Sequence, residues 1–490
     1  MRLARYGESL EKWEIPQKIF PLCFVFSNLL NLFFFYLGLA FEENFARKYG
    51  FIVGCIGFAI VCGVAFLYTL CKKIFSVRTY LLLSGIVLFF LLSYTAAVLR
   101  FGFKATIADN LMKFIVFSIP AFMAGVCGAA WKAETKFFCT LEAVSIVAFP
   151  GALIYLNSTL FNSLPWNYGA NLGIMNYMTL AYTFMPFLLS HMICFAEKEE
   201  LKNPLNGKIL KRPQLIRGIA IGVYWMAIIA SATRGAYVCV AFFCCLLVTF
   251  FLIRYTKGRK RVFWMSTIMV AVLSFNLFVY SPTGWYRVSR ANLFLEGLFQ
   301  GELVTSKEDE EVTEKIDELV EADGKDQVTN RPESPDGSGN PSDTGDSLEN
   351  EENPSSDNIT EENLQIRNRG TLFTLSIKEF MKSPITGMGP MGYTLKYGLY
   401  PHSVVLELFC ETGVLGAIPL ILILLYAICK LWVLGRKNKN IFFVLLFLIV
   451  YAVQANISGS LWTCSPLLCA LGYGIAIEKT TGRGCRSKQS

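Results

Sequence analysis

Residues 50–70 read GFIVGCIGFAIVCGVAFLYTL, a stretch without a single charged side chain. A helix of about 20 apolar residues is long enough to cross the hydrocarbon core of a bilayer. Similar blocks recur along the chain, which is 54% hydrophobic with a mean hydropathy of +0.45. Because backbone groups in lipid must pair internally, we predict an all-α polytopic membrane protein with about twelve transmembrane helices. The predicted spans are residues 19–41, 50–70, 80–99, 111–131, 138–156, 174–196, 215–232, 236–253, 262–281, 403–430, 440–459 and 461–478.

Lysine and arginine are distributed unequally between the connections of these spans. They concentrate in the two terminal tails and in alternate connections, all of which fall on one side of the membrane. Basic residues are retained on the cytoplasmic side, so both termini are predicted to be cytoplasmic. Residues 282–402 then form one large extracytoplasmic loop. This loop separates a membrane domain of residues 1–281 from a second one, residues 403–490, which includes a cytoplasmic tail.

The net charge of +8 hides two opposite populations. Residues 301–363 contain 21 Asp and Glu against 4 Lys and Arg, which leaves 41 basic and 16 acidic residues elsewhere. This acidic insert is rich in Ser, Asn, Pro and Gly and is predicted to be disordered. The basic remainder favours contact with the anionic lipids of a cytoplasmic leaflet. It has no basic stripe interleaved with exposed aromatics, so nucleic acid is not a predicted partner.

Both flanks of the acidic insert are predicted to be ordered. Residues 282–300 mix aromatic residues with arginines, as in a helix lying at the membrane interface. Apolar residues at helical spacing follow Arg369 and predict an amphipathic helix, which Pro384 ends.

Arg234 and His402 are the residues most suggestive of chemistry. Arg234 lies in SATRGAY, between two short spans, and is predicted at the outer tip of their hairpin. Its alternative role is to extend toward the outer headgroups, but no acidic residue lies nearby in sequence to pair with it. His402 lies where the long loop re-enters the membrane. A lone histidine there is usually structural, yet its pKa would suit a general base at neutral pH.

Four further positions are weaker candidates. Arg367 and Arg369 offer planar donors suited to phosphate, although such a pair is more often a solvated surface pair. Glu411 is predicted to pair with an arginine in a cavity, and Asn176 to line an outer pocket, although packing is equally compatible with its position. The chain has two histidines and no metal-ligand spacing, so neither a metal nor a cofactor is predicted. Glu142, near the start of its span, is interpreted as an interfacial residue.

Residues 369–416 contain R-x3-F-x10-P-x2-G-x-G, then a tyrosine, then a histidine, then E-x-G-x2-G. This pattern resembles the C-terminal domain of the O-antigen ligase and polymerase family, and SATRGAY resembles the Ser/Thr-Arg-Gly motif of that family. The resemblance implies a helical glycosyltransferase fold of the C class and a polyprenyl-pyrophosphate-linked glycan donor, without a metal. It also implies that Arg234 and Arg369 bind the pyrophosphate, and that His402 deprotonates or orients the acceptor hydroxyl. Ser403 stands where the family usually has an asparagine, in the neighbourhood that contacts the acceptor.

The resulting hypothesis is a surface-polysaccharide polymerase of the bacterial cytoplasmic membrane that joins lipid-linked oligosaccharide units on the outer face. The alternative within the same class is a ligase that transfers glycan to a lipid, wall polymer or protein acceptor. An alternative of another class is a flippase for lipid-linked glycan. A flippase would be expected to carry charged residues deep within several spans, whereas the candidate charges here lie at the outer face. A chain-length regulator is a possible partner of a polymerase.

Overall fold

The computed structural model describes residues 14–39, 45–73, 75–158, 172, 175, 177–197, 213–231, 233–254, 259–279 and 369–478. The predictions for residues 282–300, for the acidic insert 301–363, for Arg367 and for Asn176 lie outside the described residues. Two compact units are distinguished, one of Met1–Asn276 with Ser376–Ser490 and one of Leu277–Leu375.

The described residues are almost entirely helical, which confirms the predicted all-α class. The α-helices are α1 Ile15–Leu22, α2 Phe26–Tyr36, α3 Phe45–Lys72, α4 Val77–Phe101, α5 Ala105–Lys113, α6 Ile119–Ala130, α7 Phe137–Leu156, α8 Tyr177–Glu197, α9 Pro213–Ala230, α10 Arg234–Arg254, α11 Arg259–Val279, α12 Arg369–Lys382, α13 Gly392–Tyr397, α14 Val404–Gly435, α15 Lys439–Ser458 and α16 Ser465–Ala476. A π-helical turn, Phe114–Ser118, joins α5 to α6, and a 3₁₀ turn, Leu461–Thr463, precedes α16.

Nine helical segments of the described part are long and apolar enough to cross a membrane, and a bent pair raises the number to ten. The bent pair is α1 with α2, which meet at an angle of 77°. The first predicted span, residues 19–41, is therefore not one straight helix. Pro21 lies within α1, where it cannot donate a backbone hydrogen bond. The last predicted span contains α16, whose 12 residues cover only about 18 Å.

Aromatic side chains from distant segments form the centre of the helical bundle. Phe24 follows α1, and its ring lies 5.9 Å from Phe137 of α7 and 5.2 Å from Phe447 of α15. Phe20 stacks on Tyr473 of α16, with centroids 4.6 Å apart. Such pairs add about 0.5–1.5 kcal/mol each beyond the area that they bury. They join the two ends of the chain in one core.

Helices α10 and α14 both pack antiparallel to α15. At one end of α10, a Cβ on Gly235 would lie 3.1 Å from Ile457, and at the other end Phe250 stacks on Phe442 at 4.1 Å. Helix α14 also runs antiparallel to α15, because Ser403 contacts Asn456 while Trp432 contacts Phe442. The N-termini of α10 and α14 therefore both lie beside the C-terminal end of α15.

Candidate active site

Ser403 and Asn456 organise the start of α14. The Ser403 hydroxyl accepts a hydrogen bond from the Leu406 amide at 3.4 Å, as an N-cap side chain does. The Asn456 side-chain oxygen accepts from the same hydroxyl at 3.4 Å and from the Val405 amide at 3.2 Å. Ser403 is 6% exposed, so its hydroxyl serves the helix start in the described structure. Its contact with an acceptor stays a prediction.

His402 lies immediately before this cap and is half-buried. Its backbone φ of 58° falls in the left-handed region, which is uncommon for a residue with a side chain. The imidazole ring lies against Tyr400, with centroids 4.3 Å apart. The Tyr400 hydroxyl in turn donates to the Ser458 carbonyl at 3.5 Å, at the last residue of α15. Neighbouring contacts therefore hold His402 at the C-terminal end of α15.

Arg234 is the first residue of α10, in the turn where the sequence predicted it. The turn is compact, because the Thr233 amide donates to the Ser231 hydroxyl at 3.3 Å and the Tyr237 hydroxyl donates to the Ile229 carbonyl at 2.6 Å. Only the backbone of Arg234 belongs to the described part of the chain. That backbone adjoins Gly235 and, through it, Ile457.

The structure thus brings Arg234 and His402 to one end of the bundle, although 168 positions separate them in sequence. Gly235, the residue after Arg234, packs against Ile457 of α15. Ser403, the residue after His402, is hydrogen-bonded to Asn456, the residue before Ile457. The first amides of a helix have no intrahelical partner, and the macrodipole places partial positive charge there. Two helix N-termini at one end of the bundle favour a negatively charged group, such as a phosphate.

Glu411 has partners other than the predicted arginine. Its carboxylate is fully buried and accepts from the Met391 amide at 2.7 Å, the Tyr393 amide at 3.1 Å and the Trp462 indole at 2.7 Å. Among the described residues, no arginine is paired with it. A buried carboxyl group needs hydrogen-bond partners, and these three donors supply them. Glu411 therefore holds the loop before α13 and the turn before α16 together, and its binding of substrate stays a prediction.

Two glycines explain the spacing of the motif that the sequence analysis singled out. Gly413, with φ 60°, interrupts the regular geometry of α14. A Cβ on Gly413 would lie 2.3 Å from the Ile385 carbonyl oxygen, and one on Gly387 would lie 2.4 Å from the Glu411 carbonyl carbon. The two backbones therefore touch, and the Gly389 amide donates to the Glu411 carbonyl at 3.0 Å. The P-x2-G-x-G and E-x-G segments therefore pack backbone against backbone, and His402 lies between them in the sequence.

Glu407 is a second buried carboxylate, which the sequence analysis missed. It accepts from the Ser460 hydroxyl at 2.8 Å and from the Leu461 amide at 2.5 Å. It precedes Glu411 by four residues, so both lie on one face of α14. An acidic pair at that spacing was the available signal in the sequence. Its effect is to attach the segment after α15 to the start of α14.

Glu379 anchors the C-terminal part of α12 outside the membrane spans. It accepts hydrogen bonds from the Tyr397 hydroxyl at 2.8 Å and from the ammonium groups of Lys396 at 3.0 Å and Lys382 at 3.1 Å. Burial alone would raise the pKa of this carboxyl, but these three donors outweigh it and lower the pKa. Phe380 also packs on Phe409, with centroids 5.6 Å apart. Residues 376–382 are thereby attached to α13 and α14.

Arg369 is the first residue of α12, and only its backbone belongs to the described residues. The predicted amphipathic helix is confirmed, since α12 ends at Lys382, two residues before Pro384. The meeting of Arg234, Arg369 and His402 around one ligand stays a prediction.

A buried ion pair in the membrane domain corrects the interpretation of Glu142. Its carboxylate is not interfacial: it is bound by Arg217 through Nε at 2.6 Å and Nη2 at 2.8 Å, and Arg217 is fully buried. His191 adds a contact at 3.1 Å through Nδ1 and reaches the Ser145 hydroxyl at 3.0 Å through Nε2. Arg217 lies thirteen residues before the end of α9, so the pair is about 20 Å from the Arg234 turn. It connects α7, α8 and α9 away from the candidate site.

Comparison with known proteins finds that residues 219–421 match the family model described as O-antigen ligase. The match begins in α9 and ends in α14, so it includes Arg234, Arg369, His402 and Glu411. No curated protein matches the chain. The family model confirms the resemblance of residues 369–416 and of the SATRGAY segment. The chain is a multi-pass helical membrane protein whose residues 219–421 are similar to the O-antigen ligase family.

Proposed function

We propose that the protein is a glycosyltransferase that polymerises polyprenyl-pyrophosphate-linked oligosaccharide units on the outer face of the bacterial cytoplasmic membrane. The O-antigen ligase family domain supports a role in surface glycan assembly. The observation that carries the proposal is the convergence of the Arg234 turn and His402 beside the last residues of α15. A basic residue, a histidine and two helix N-termini suit a substrate that joins a pyrophosphate to a sugar.

The proposed chemistry needs two kinds of group. The bond that breaks joins the anomeric carbon of the donor sugar to the pyrophosphate oxygen. The pyrophosphate leaves with its negative charge, and the guanidinium groups of Arg234 and Arg369 would stabilise that charge as it develops. His402 would accept the proton of the acceptor hydroxyl as that oxygen attacks the anomeric carbon. Glu407 and Glu411 contribute indirectly, because they fix the segments on either side of His402.

Polymerase and ligase differ in their acceptor. We favour a polymerase, as Ser403 departs from the asparagine usual in the family. The ligase reading, with a lipid, wall polymer or protein as acceptor, is the second candidate within the same family. Both termini are proposed to be cytoplasmic, residues 282–402 extracytoplasmic, and a chain-length regulator a possible partner.

The test is an assay with purified protein in lipid vesicles. With a lipid-linked repeat unit as the sole substrate, a polymerase gives a ladder of products that differ by one unit. A ligase gives no ladder but transfers glycan once a separate acceptor is supplied. The absence of transfer under both conditions, with folded protein, would contradict the proposal.

A further inference from the structure

Large apolar side chains lie exposed along one face of the C-terminal part of α12. Ser376 and Glu379 are buried, on the face that packs against α13 and α14. Ile377 and Met381, four residues apart on the opposite face, are 49% and 69% exposed, and Ile385 follows at the same spacing with 66%. Single exposed apolar residues are normal, but a row of them marks an interaction surface. These three residues are called the α12 stripe.

The stripe ends where the membrane-crossing part of α14 begins. The break in α14 leaves the amides of Val414 and Leu415 without carbonyl partners in the preceding turn. The carbonyls of Pro384 and Ile385 accept from these two amides, at 2.9 and 3.1 Å. Residues 414–435 then extend about 33 Å, enough to cross a hydrocarbon core of about 30 Å. Ile385 is therefore attached at the edge of the hydrocarbon layer.

Exposed apolar side chains continue from this point along α14. They are Leu415, Ile418, Leu422 and Leu425, whose spacing of three or four residues places them on one helix face. On a helix that crosses a membrane, such a face contacts lipid. Because the Ile385 carbonyl is bonded to the Leu415 amide, the α12 stripe is continuous with a lipid-facing surface.

The part of α14 before the break does not rise away from the bilayer. Ser403 contacts Asn456 and Trp432 contacts Phe442, so both ends of α14 are matched to positions of α15. Those two positions are about 21 Å apart along α15, whereas α14 after its break already extends about 27 Å before it reaches Trp432. Residues 404–412 must therefore run sideways, near the level at which the membrane-crossing part begins.

Helix α12 packs on this sideways segment. Phe380 contacts Phe409, with ring centroids 5.6 Å apart, and Glu379 accepts from the Tyr397 hydroxyl of α13 at 2.8 Å. The whole stripe extends at most about 12 Å from Ile385 at helical rise. The exposed face of α12 therefore lies at the boundary between the hydrocarbon and the headgroups.

Lysine side chains border the stripe on the side away from Phe380. Lys378 and Lys382 each follow a stripe residue by one position, which places them about 100° around the helix from it. The Lys382 side chain is 58% exposed, and its ammonium group lies 3.1 Å from Glu379 Oε1. A long cationic side chain beside an apolar face places its charge at the level of the headgroups when that face enters a membrane.

We propose that the α12 stripe inserts into the lipid leaflet on the side of the candidate site, so that the partner of this surface is the bilayer itself. Ile377, Met381 and Ile385 contact hydrocarbon, while Lys378 and Lys382 reach the phosphates of the headgroups. The bilayer then supports the 384–392 loop from the side that the described protein leaves open. The inference concerns the position of α12 and does not depend on which reaction the site performs.

The direct test measures how often a nitroxide on the whole protein, reconstituted in phospholipid vesicles, collides with two reagents. Oxygen concentrates in hydrocarbon, and a nickel chelate stays in water. The exposed native cysteines to be replaced first are Cys71, Cys139, Cys245 and Cys429. The nitroxide is attached at Met381→Cys, with Leu422→Cys of α14 as the lipid-facing control and Lys382→Cys as the comparison on the neighbouring face. Met381 is exposed, so its replacement removes no buried contact.

We expect the probes at Met381 and Leu422 to collide more with oxygen, and the probe at Lys382 to collide more with the nickel chelate. A preference for the nickel chelate at Met381 would place the stripe in water and overturn the inference. Exclusion of both reagents at Met381 would show that protein covers the stripe, which would also overturn it.

A photocrosslinker identifies the occupant independently. A benzophenone amino acid replaces Met381, and the protein is illuminated in the same vesicles. We expect adducts with the mass of a phospholipid on the peptide that contains residue 381. Cross-links to a second copy of the chain or to another segment of it, in place of lipid adducts, would refute the proposal.

Discussion

His402 is held in a left-handed backbone conformation between Tyr400, whose ring contacts the imidazole, and the Ser403 cap of α14. A non-glycine residue in this region costs of order 1–3 kcal/mol and persists where the surroundings enforce it. A requirement of the proposed reaction for a fixed position of the imidazole would explain why this strained conformation is retained.

Replacement of the three proposed catalytic residues should lower turnover without loss of folded protein. Arg234→Ala and Arg369→Ala each remove a donor to the leaving pyrophosphate, for an expected loss of roughly thirtyfold to a thousandfold. His402→Ala removes the base, for roughly a hundredfold to ten-thousandfold. The measurement is the initial rate of glycan transfer per folded molecule in vesicles.

Two comparisons sharpen that experiment. His402→Asn keeps a side chain that tolerates the left-handed conformation but cannot act as the base, so it should be as inactive as His402→Ala. Arg234→Lys should recover little activity, because an ammonium group cannot make a bidentate contact. The control is Arg436→Ala at an exposed position near the other end of α14. Near-normal turnover of all three alanine variants would refute the assignment.

Arg217 should matter for stability and not for turnover. Arg217→Ala leaves the Glu142 carboxylate buried without its main partner, and breaking such a pair typically costs about 3–5 kcal/mol. Thermal unfolding in detergent should show a large decrease in the midpoint, while transfer per folded molecule stays near normal. The double variant Glu142→Gln, Arg217→Met removes both charges and should lose much less. Equal losses in the single and double variants would show that the pair itself is not the cause.

At the scale of elements, the decisive contact is the one between the 384–392 loop and the interrupted helix α14. Gly413→Ala places a methyl group 2.3 Å from the Ile385 oxygen and must displace the loop or the helix. We expect a clear loss of both stability and turnover, because His402 lies between the loop and Gly413 in the chain and would be displaced with them. Transfer rate and thermal unfolding would be measured on the same preparation.

Gly102→Ala is the matched control for that prediction. Gly102 has φ 75° and ψ 177°, close to the φ 60° and ψ −171° of Gly413, but nothing lies within 4 Å of a Cβ placed on it. The control therefore carries the cost of a backbone region that is almost restricted to glycine, of order 1–3 kcal/mol, without the clash. If Gly102→Ala were as damaging as Gly413→Ala, the effect would come from the backbone conformation alone and not from the contact between the loop and the helix.

For the whole molecule, the distribution of basic residues predicts a single orientation. A cysteine introduced at Ser338, in the long loop, should react with an impermeant maleimide in intact cells, whereas one at Ser487, in the C-terminal tail, should react only after lysis. The exposed native cysteines, among them Cys71 and Cys429, must first be replaced. Reaction at Ser338 only after lysis would invert the topology and place the candidate site on the cytoplasmic face.

The sequence by itself determined the helical class, the position of most spans, the α12 segment ahead of Pro384 and the family resemblance of residues 369–416. These properties are local, because hydrophobicity over about 20 residues and a fixed motif spacing need no knowledge of distant partners. They also sufficed to place Arg234 in a turn between two helices.

Only the tertiary structure decided which helix ends meet and what each buried polar group binds. The partners of Glu411 come from two other segments, and Glu142 and Arg217 are 75 positions apart, so no window of sequence contains both members. The 77° break between α1 and α2 is likewise invisible to hydropathy, since both halves are apolar. A buried carboxylate takes whichever donors packing brings within hydrogen-bond distance, and packing is a property of the whole bundle.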